Sequence, residues 1–471
     1  MDVYESALDL VGGTPLVRLR TRGPAAVYAK LEYLSVGGSA KDRIALRMIE
    51  RAEKDGLLLP GGTVVEATSG NTGIGLALVA AEKGYRTVLV VSDRVSEEKV
   101  ATLRAFGAEV VIRPGALPRQ HPDHPMNHAA HLAATTPGAW LANQYDNPAN
   151  PEAHYLTTGP EIWRQTRGRV THLVSCIGTG GTISGAGRYL KEVSDHTIQV
   201  IGADPASSVY AGGDGRPYFI EAAGHFLHPD TAHDVWPTSY HPGVVDRIVP
   251  VADRHALHTL RQLAREQGLL VGGSAGTALA AAHQVAAEAG PDALVVVILP
   301  DSGRQYLSKY FNDTWMLRLG FLDGDASAAR VDDAVSEDRD APTCPYLNTH
   351  TPVGEALEVL RAAKGRGAEP VVPAGPCPAG PGRRPTAPEL TGSATLASLE
   401  SALRDGRATP ADPLSGHLEP PLPQLGYGES ARDALDTLAA RAQDTAVVLR
   451  DGCAQALVTS AELRAVLSRP R

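Results

Sequence analysis

Cysteine is scarce in this chain of 471 residues, with four copies at Cys176, Cys344, Cys377 and Cys453 and no CxxC pair among them. Such scattering argues against a disulfide framework and against a thiolate zinc site. Aromatic residues make up only 5%, so a core has to be assembled from Val, Leu, Ile and Ala. No run approaches the ~18 consecutive apolar residues of a membrane span. Basic residues do not dominate: Lys and Arg number 44 against 53 Asp and Glu, a formal charge of −9. The cationic footprint needed for nucleic acid or an anionic membrane is therefore missing. The opening residues, MDVYESALDLVGGTPL, contain neither a basic stretch nor an apolar one. No secretory signal is expected there, and the expected location is cytoplasmic.

What remains is an ordinary globular composition, 43% hydrophobic and 21% charged, long enough for about three units at roughly 150 residues each. From Met1 to about Leu319, short β-branched runs alternate with helical patterns. Strands are predicted at Thr63–Ala67, Thr87–Ser92, Val110–Ile112, His172–Ile177, Gln199–Ala203 and Leu294–Pro300. Most are followed by a helix-like stretch, such as GIGLALVAAEKG or ISGAGRYLKEV. Apolar strands alternating with amphipathic helices build a parallel sheet covered on both faces. Right-handed crossovers wind it into a doubly wound α/β fold, in two lobes at this length. Beyond Gly320 the character shifts. Residues 323–342 are acidic and Ala-rich and read as a linker between a core over 1–322 and a smaller α+β module over 343–471. Within the module two stretches share the order helix, short strand, turn, strand, helix, which reads as an internal repeat. The Pro/Gly-rich stretch Pro373–Pro388 interrupts the first copy.

Three glycine turns carry the chemical signal. In GGSAKDRIA, a tight turn leads into a helix whose buried stripe is Ile44, Ala45, Met48, Ile49 and Ala52. Lys41 opens that helix, at the end of the dipole that disfavours a cation. The position suits a neutral amine able to form a Schiff base, and it suits a solvated lysine equally well. In EATSGNTGIGLA, the residues Thr68, Ser69, Gly70, Asn71 and Thr72 enter a Gly/Ala helix. Hydroxyls and backbone N–H groups there make either a helix cap or a cradle for a carboxylate or phosphate. The third turn, Gly178, Thr179, Gly180, Gly181 and Thr182, again lies between a strand and a helix. It lacks the Lys-Ser/Thr ending of a P-loop and the third glycine of a dinucleotide fingerprint, so it fits a cofactor monophosphate or a plain turn.

The motifs GGTPL, GGSAKDR, TSGNTG, QYDNPANPEAHYLTT, GTGGT, GGSAGT and ILPDS, spanning Gly12 to Ser302, stand in the order found in the cysteine synthase and cystathionine β-synthase family. The chain resembles these pyridoxal-phosphate enzymes of fold type II, whose core is similar to that of tryptophan synthase β. LRMIERAEKDGLL and FNDTWMLRLGFL look closer to cystathionine β-synthases. The resemblance implies pyridoxal 5'-phosphate held by Lys41, which then acts as the base on the substrate α-carbon. It implies a phosphate site at Gly178 to Thr182, Asn71 on the ring 3-oxygen and Ser274 at the pyridine nitrogen. Thr68, Ser69, Thr72 and Gln144 would grip the substrate carboxylate, and Gly224 and His225 would line the substrate side. A neutral hydroxyl at Ser274 does not keep the ring nitrogen protonated as an aspartate does, which favours loss of a β-leaving group. Ser274 also suits a helix N-cap.

The activity so implied is β-replacement on L-serine or an activated serine by a thiol, with homocysteine giving cystathionine as the leading reading. The alternatives are sulfide on O-acetylserine, another nucleophile in a specialised pathway, or a catalytically silent regulator. The expected partners are small amino-acid substrates and a second copy of the chain. The C-terminal repeat is similar to a degenerate tandem of the regulatory CBS motif. Its copies end in Thr395-Leu396-Ala397-Ser398 and Thr459-Ser460-Ala461-Glu462, so only Glu462 is a candidate to hold a ribose, and adenosine nucleotides are not expected to bind in the usual manner.

Several positions depart from the family pattern. Ser35 stands where Asn is common, and Ala222-Ala223-Gly224-His225 replaces a Gly-Ile-Gly-Tyr stretch, followed by the insertion HPDTAHDVWPTSYHPG. His225 is expected over the leaving group as a proton donor. No haem module and no metal are expected; His124 and His128 stand four apart, but Pro122 and Pro125 argue against a helix there.

Overall fold

The computed structural model describes residues 3–21, 23–68, 70–115, 117–231, 233–335, 346–363, 371–376 and 383–469. Two compact units emerge, Met1–Phe311 and Asn312–Arg471.

The first unit holds two sheets. The larger runs in the order Leu16–Arg18, Ala26–Leu31, Leu294–Leu299, His172–Cys176, Gln199–Pro205, Arg247–Val251, and the smaller in the order Glu109–Arg113, Arg86–Ser92, Thr63–Thr68, Ala139–Leu141. Every pairing is parallel except the first, Leu16–Arg18 on Ala26–Leu31. All six strands expected from the sequence are present. The central ones, Thr63–Thr68 and Leu294–Leu299, are buried along their whole length, as strands covered on both faces must be. The helix Lys41–Lys54 buries the stripe Ile44, Ala45, Met48, Ile49 and Ala52 against Leu58, Val64, Leu76 and Val79. Among the described residues no helix is long and apolar enough to cross a membrane.

One helix was argued against and forms. Pro125–Thr135 is helical with Pro125 at its first position and His124 as the N-cap, the His124 ring accepting from Met126 N–H at 3.3 Å. Proline is favoured at that place because its missing donor would have been unpaired anyway. His128 faces Arg113 at 3.0 Å, and burial holds His124 down at about 4.

The second unit begins at Asn312, earlier than the expected boundary after Leu322. Trp315 stacks on Phe321 within it, and the N–H of Gly452 donates to Leu319 O at 2.8 Å. The expected linker is also structured where it is described. Val331 is fully buried with Leu425, Ala431, Ala434 and Leu438, and its N–H donates to Glu429 O at 2.9 Å. Val331 and Val335 among acidic residues and alanines give no periodicity to read, yet with Ala329 and Ala334 they anchor the segment; 336–345 lie outside the described residues, as does 377–382 of the Pro/Gly stretch. The repeat is plain in the backbone. One copy has Leu347–Asn348, Val353–Ala363, Val371–Gly375, Gly392–Thr395 and Leu396–Arg404; the other has Gln424–Gly426, Ala431–Ala440, Thr445–Arg450, Cys453–Thr459 and Ser460–Leu467. Each pairs its first two strands parallel and its last two antiparallel.

Candidate active site

The strands of the first unit end around a cavity lined by Ser39, Ala40, Lys41, Asn71, Ser175, Cys176, Gly178, Thr179, Gly180, Thr182, Ala222, Ser274 and Pro300. Ligands of open α/β sheets bind in this place, outside the carboxyl ends of the strands. Four helices start at the wall: Lys41–Lys54, Asn71–Lys83, Gly181–Val193 and Gly273–Glu288. Their N-cap residues are Ala40, Gly70, Gly180 and Gly272, none with a side chain able to cap, so part of each first turn's backbone N–H donors remains open.

Lys41 is half-buried and, among the described residues, the only charged one on this wall. Its own N–H donates to Ser39 Oγ at 3.2 Å, and the N–H of Ala40 donates to Pro300 O at 2.8 Å. Asp42 closes the turn by accepting from Gly37 N–H at 2.8 Å, and burial pushes its carboxyl up to about 6. Burial also lowers Lys41 below the ordinary lysine range, against the opposing charge of Asp301. A lowered ammonium pKa is what an amine nucleophile and base requires.

The Gly178–Thr182 loop turns from strand to helix through Gly180, whose φ is +83° and where a Cβ would come within 2.4 Å of Tyr240. Only glycine meets both demands. Thr179 Oγ1 accepts from Asn150 Nδ2 at 3.1 Å, leaving its hydroxyl proton free for the cavity. Thr182 meets His154 at 3.1 Å, and burial with nearby Lys41 and Arg43 holds that imidazole well below its usual range, hence neutral. The loop is thus an uncharged anion cradle. Gly181 lies just off the wall.

Ser274 is buried on the wall, but the cap of its helix is Gly272. The serine hydroxyl therefore does not do the capping that the sequence also allowed. Asn71 donates through Nδ2 to Asp301 Oδ2 at 2.7 Å, while its Oδ1 is buried without a partner.

The expected substrate grip is not on this wall. Thr68 Oγ1 accepts from the N–H groups of Gly70 and Gly73, at 3.0 and 3.3 Å. Thr72 donates to Gln144 Oε1 at 2.5 Å, and Gln144 Nε2 donates to Ala67 O at 3.2 Å. These three form a buried cluster beside the cavity; Ser69 lies outside the described residues. Under them Glu66 is buried, accepts from Gln144 N–H at 3.3 Å and is pushed up to about 8 by desolvation.

His225 is paired with an acid. Its Nε2 sits 2.6 Å from Asp234 Oδ1, and its ring lies 5.3 Å from that of Tyr210. Asp234 also accepts from Trp236 Nε1 at 2.8 Å. The inserted segment supplies this acid, and His225 is not among the residues that line the cavity. Gly224 donates its N–H to Ile177 O at 2.7 Å, likewise off the wall. Ala222 does line it, and adopts φ +61°, a left-handed conformation that a Cβ disfavours.

Two residues went unassigned in the sequence. Cys176 ends its strand on the wall, and burial raises its thiol well above the ordinary range. Asp301, inside ILPDS, is fully buried and touches Asn71. The signal for Asp301 was available, an acid directly after an unbroken apolar strand.

A cavity with one amine of lowered basicity, a neutral anion cradle and a ring of hydroxyls and an amide offers the donors that an aldehyde cofactor with a phosphate arm needs. The chain belongs to the pyridoxal-phosphate dependent enzyme family, whose family model matches residues 7–301. Among its relatives, cystathionine beta-synthase of Apis mellifera is 42% identical over 325 residues, covering 68% of this chain and 64% of that one. Cysteine synthase of Staphylococcus aureus is 41% identical over 328 residues, covering 64% of this chain and 96% of that one. The solved structure of an O-ureido-L-serine synthase matches with a TM-score of 0.61 at 37% identity, covering 69% of this chain and 98% of that one. The chain spans about three-fifths of the length of the animal relatives it matches. The donor set on the wall fits the cofactor: an amine for its aldehyde, the Thr179, Thr182 and Ser274 hydroxyls, and the Asn71 amide for its polar edges.

Proposed function

We propose that the chain catalyses β-replacement on L-serine or an activated serine, with a thiol as acceptor and homocysteine, giving cystathionine, as the leading case. The observation that carries this reading is Ser274 on the cavity wall together with Lys41. From that helix start Ser274 offers a ring nitrogen a neutral hydroxyl. Pyridoxal phosphate, when bound, supplies an electron sink for the bond breaking at the substrate α-carbon.

The chain's own residues divide the remaining work. Lys41 holds and moves a proton at Nζ, helped by the burial that weakens its basicity. The open N–H groups of Gly181–Val193 and the Thr179 and Thr182 hydroxyls bind a phosphate arm. The Asn71 amide orients the ring edge, and the Thr72–Gln144 pair, with Thr68 and Ser69, receives the substrate carboxylate by exchanging its internal hydrogen bond for one to the anion. The curated relatives named for cystathionine and cysteine synthesis support this chemistry. A second reading, with sulfide or a non-thiol acceptor, is favoured by Ala222 and by the acid-paired His225, which reshape the side of the site that departs from the family. The Asn312–Arg471 unit is proposed to be a degenerate CBS-like tandem with a regulatory or architectural role, and the chain to act as a homodimer.

The deciding experiment supplies serine, O-acetylserine and cysteine, each with homocysteine or sulfide, and identifies products by mass. Cystathionine from serine and homocysteine as the fastest product is expected. Cysteine or a non-thioether as the dominant product would replace the leading reading with the second.

A further inference from the structure

Three of the chemistry-bearing turns meet at one residue outside the roles assigned above. The backbone of Asp301 forms an antiparallel bridge with Ser39, on the turn before Lys41. Its carbonyl accepts from Gly272 N–H at 3.1 Å, just ahead of Ser274. Its carboxylate Oδ2 accepts from Asn71 Nδ2 at 2.7 Å and from the Tyr306 hydroxyl. Behind Tyr306, Lys99 Nζ donates to the phenol oxygen at 2.8 Å and to Glu221 at 3.1 Å.

We propose that Asp301 is the positioning residue of the site, fixing the orientation of the Asn71 amide so that its remaining N–H, and not its oxygen, is offered to the cofactor ring.

The argument is one of donors and acceptors. An asparagine side chain has a donating end and an accepting end of nearly equal shape, and only its partners decide which faces where. Asp301 Oδ2 already accepts from the Tyr306 hydroxyl and serves as an acceptor on this side, so Asn71 turns its NH₂ toward it. Flipping the amide would set Oδ1 against the carboxylate oxygen. The NH₂ carries two protons; Asp301 takes one, and one is left on a residue that lines the cavity. Asp301 is itself held in place. It is fully buried, and its Oδ1 packs so close to Gly272 that a Cβ there would stand 2.1 Å away. The Tyr306 hydroxyl, whose oxygen accepts from Lys99 Nζ, supplies the second donor that keeps Oδ2 where Asn71 needs it. Asp301 also faces Lys41, and its charge opposes the effect of burial on that amine.

This inference rests on assigning the cavity to the cofactor, and the test separates the two. Borohydride reduction of the holoenzyme followed by peptide mass analysis is expected to trap pyridoxal phosphate on Lys41. Trapping on another lysine breaks the assignment of the cavity. With that control in hand, the affinity for pyridoxal phosphate and the visible spectrum are measured for D301A, D301N and N71A. D301A is expected to weaken the affinity by about tenfold and to move the absorbance maximum, the loss of one well-placed hydrogen bond to a charged oxygen. N71A should do the same, and the double variant should lose no more than either alone, because both remove one interaction. D301N keeps an acceptor for both Asn71 and Tyr306 and should recover most of the affinity and the original maximum. Wild-type affinity and spectrum in D301A, or full additivity with N71A, would overturn the inference. Should D301A not fold, D301N and N71A carry the test: a D301N protein as impaired as N71A overturns it, and a rescued one supports it.

Discussion

Helix starts are chemically similar in the two units and are finished in opposite ways. In the C-terminal unit, Thr395, Ser430 and Thr459 each accept from a backbone N–H of their own helix, at 3.1, 3.1 and 3.3 Å. Glu462, the one candidate to hold a ribose, accepts from Thr459 N–H and from its hydroxyl, both at 2.8 Å, closing a capping box. In the first unit, the four helices that start at the cavity have Ala or Gly at the N-cap, with no side chain there to close the turn. A hydroxyl followed by a helix is therefore not a site in itself. An open start alone is not one either, since Asp253–Gln267 also lacks a side-chain cap. The distinction lies in open donors converging on a cavity, which leaves anion-binding capacity that the protein does not use internally.

The comparison can be tested from its most sensitive side downward. Lys41→Ala should leave a folded protein with no lysine-bound cofactor absorbance and no turnover. An active variant without added amine would show that the open helix starts serve something else. Glu66 provides a pH test beneath the same loop. Its carboxyl is raised to about 8 from an unfolded value near 4.5, so the unfolded chain binds fewer protons between those values. Its stabilisation is full below about pH 4.5 and is lost as pH rises toward 8, at up to about 1.4 kcal/mol per pH unit. Glu66→Gln should flatten that slope in a series of thermal melts; an unchanged slope would place the titration elsewhere.

On the closed side, Thr459→Ala should cost about 1 kcal/mol of stability, the usual worth of an N-cap, with cofactor absorbance untouched. A change in that absorbance would contradict a purely capping role. Ala222→Gly, on the cavity wall, should raise stability by roughly 0.5–1 kcal/mol, because a left-handed residue no longer carries a Cβ. A drop in melting temperature would mean that the methyl group packs usefully. The smallest effect is expected from His225→Phe. Because the imidazole is paired with Asp234 and is not among the residues lining the cavity, losses of turnover on serine and on O-acetylserine should be equal. A selective loss on serine would return His225 to the leaving group.

The strands Thr63–Thr68 and Leu294–Leu299 were legible because burial on both faces writes an unbroken apolar run. The strands Leu16–Arg18 and Ala139–Leu141 are three residues each, too short for a period. Arg247–Val251 contains Pro250 and lies at a sheet edge, where the missing N–H does no harm. The helix at Pro125 was misread because proline was weighed as a breaker and not as a first residue.

Sequence by itself determined the parallel α/β order, the repeat of the C-terminal unit and the turns that hold Lys41, Asn71, Gly178–Thr182 and Ser274, since each is written in contiguous residues whose local conformation follows from glycine, capping groups and apolar period. Only the tertiary structure decided which of those side chains face a common cavity, that His225 is taken by Asp234, and that Asp301 holds Asn71 from 230 residues away. Such choices depend on which donor meets which acceptor once the strands have paired, and a buried polar group takes whatever partner the fold brings within hydrogen-bonding distance.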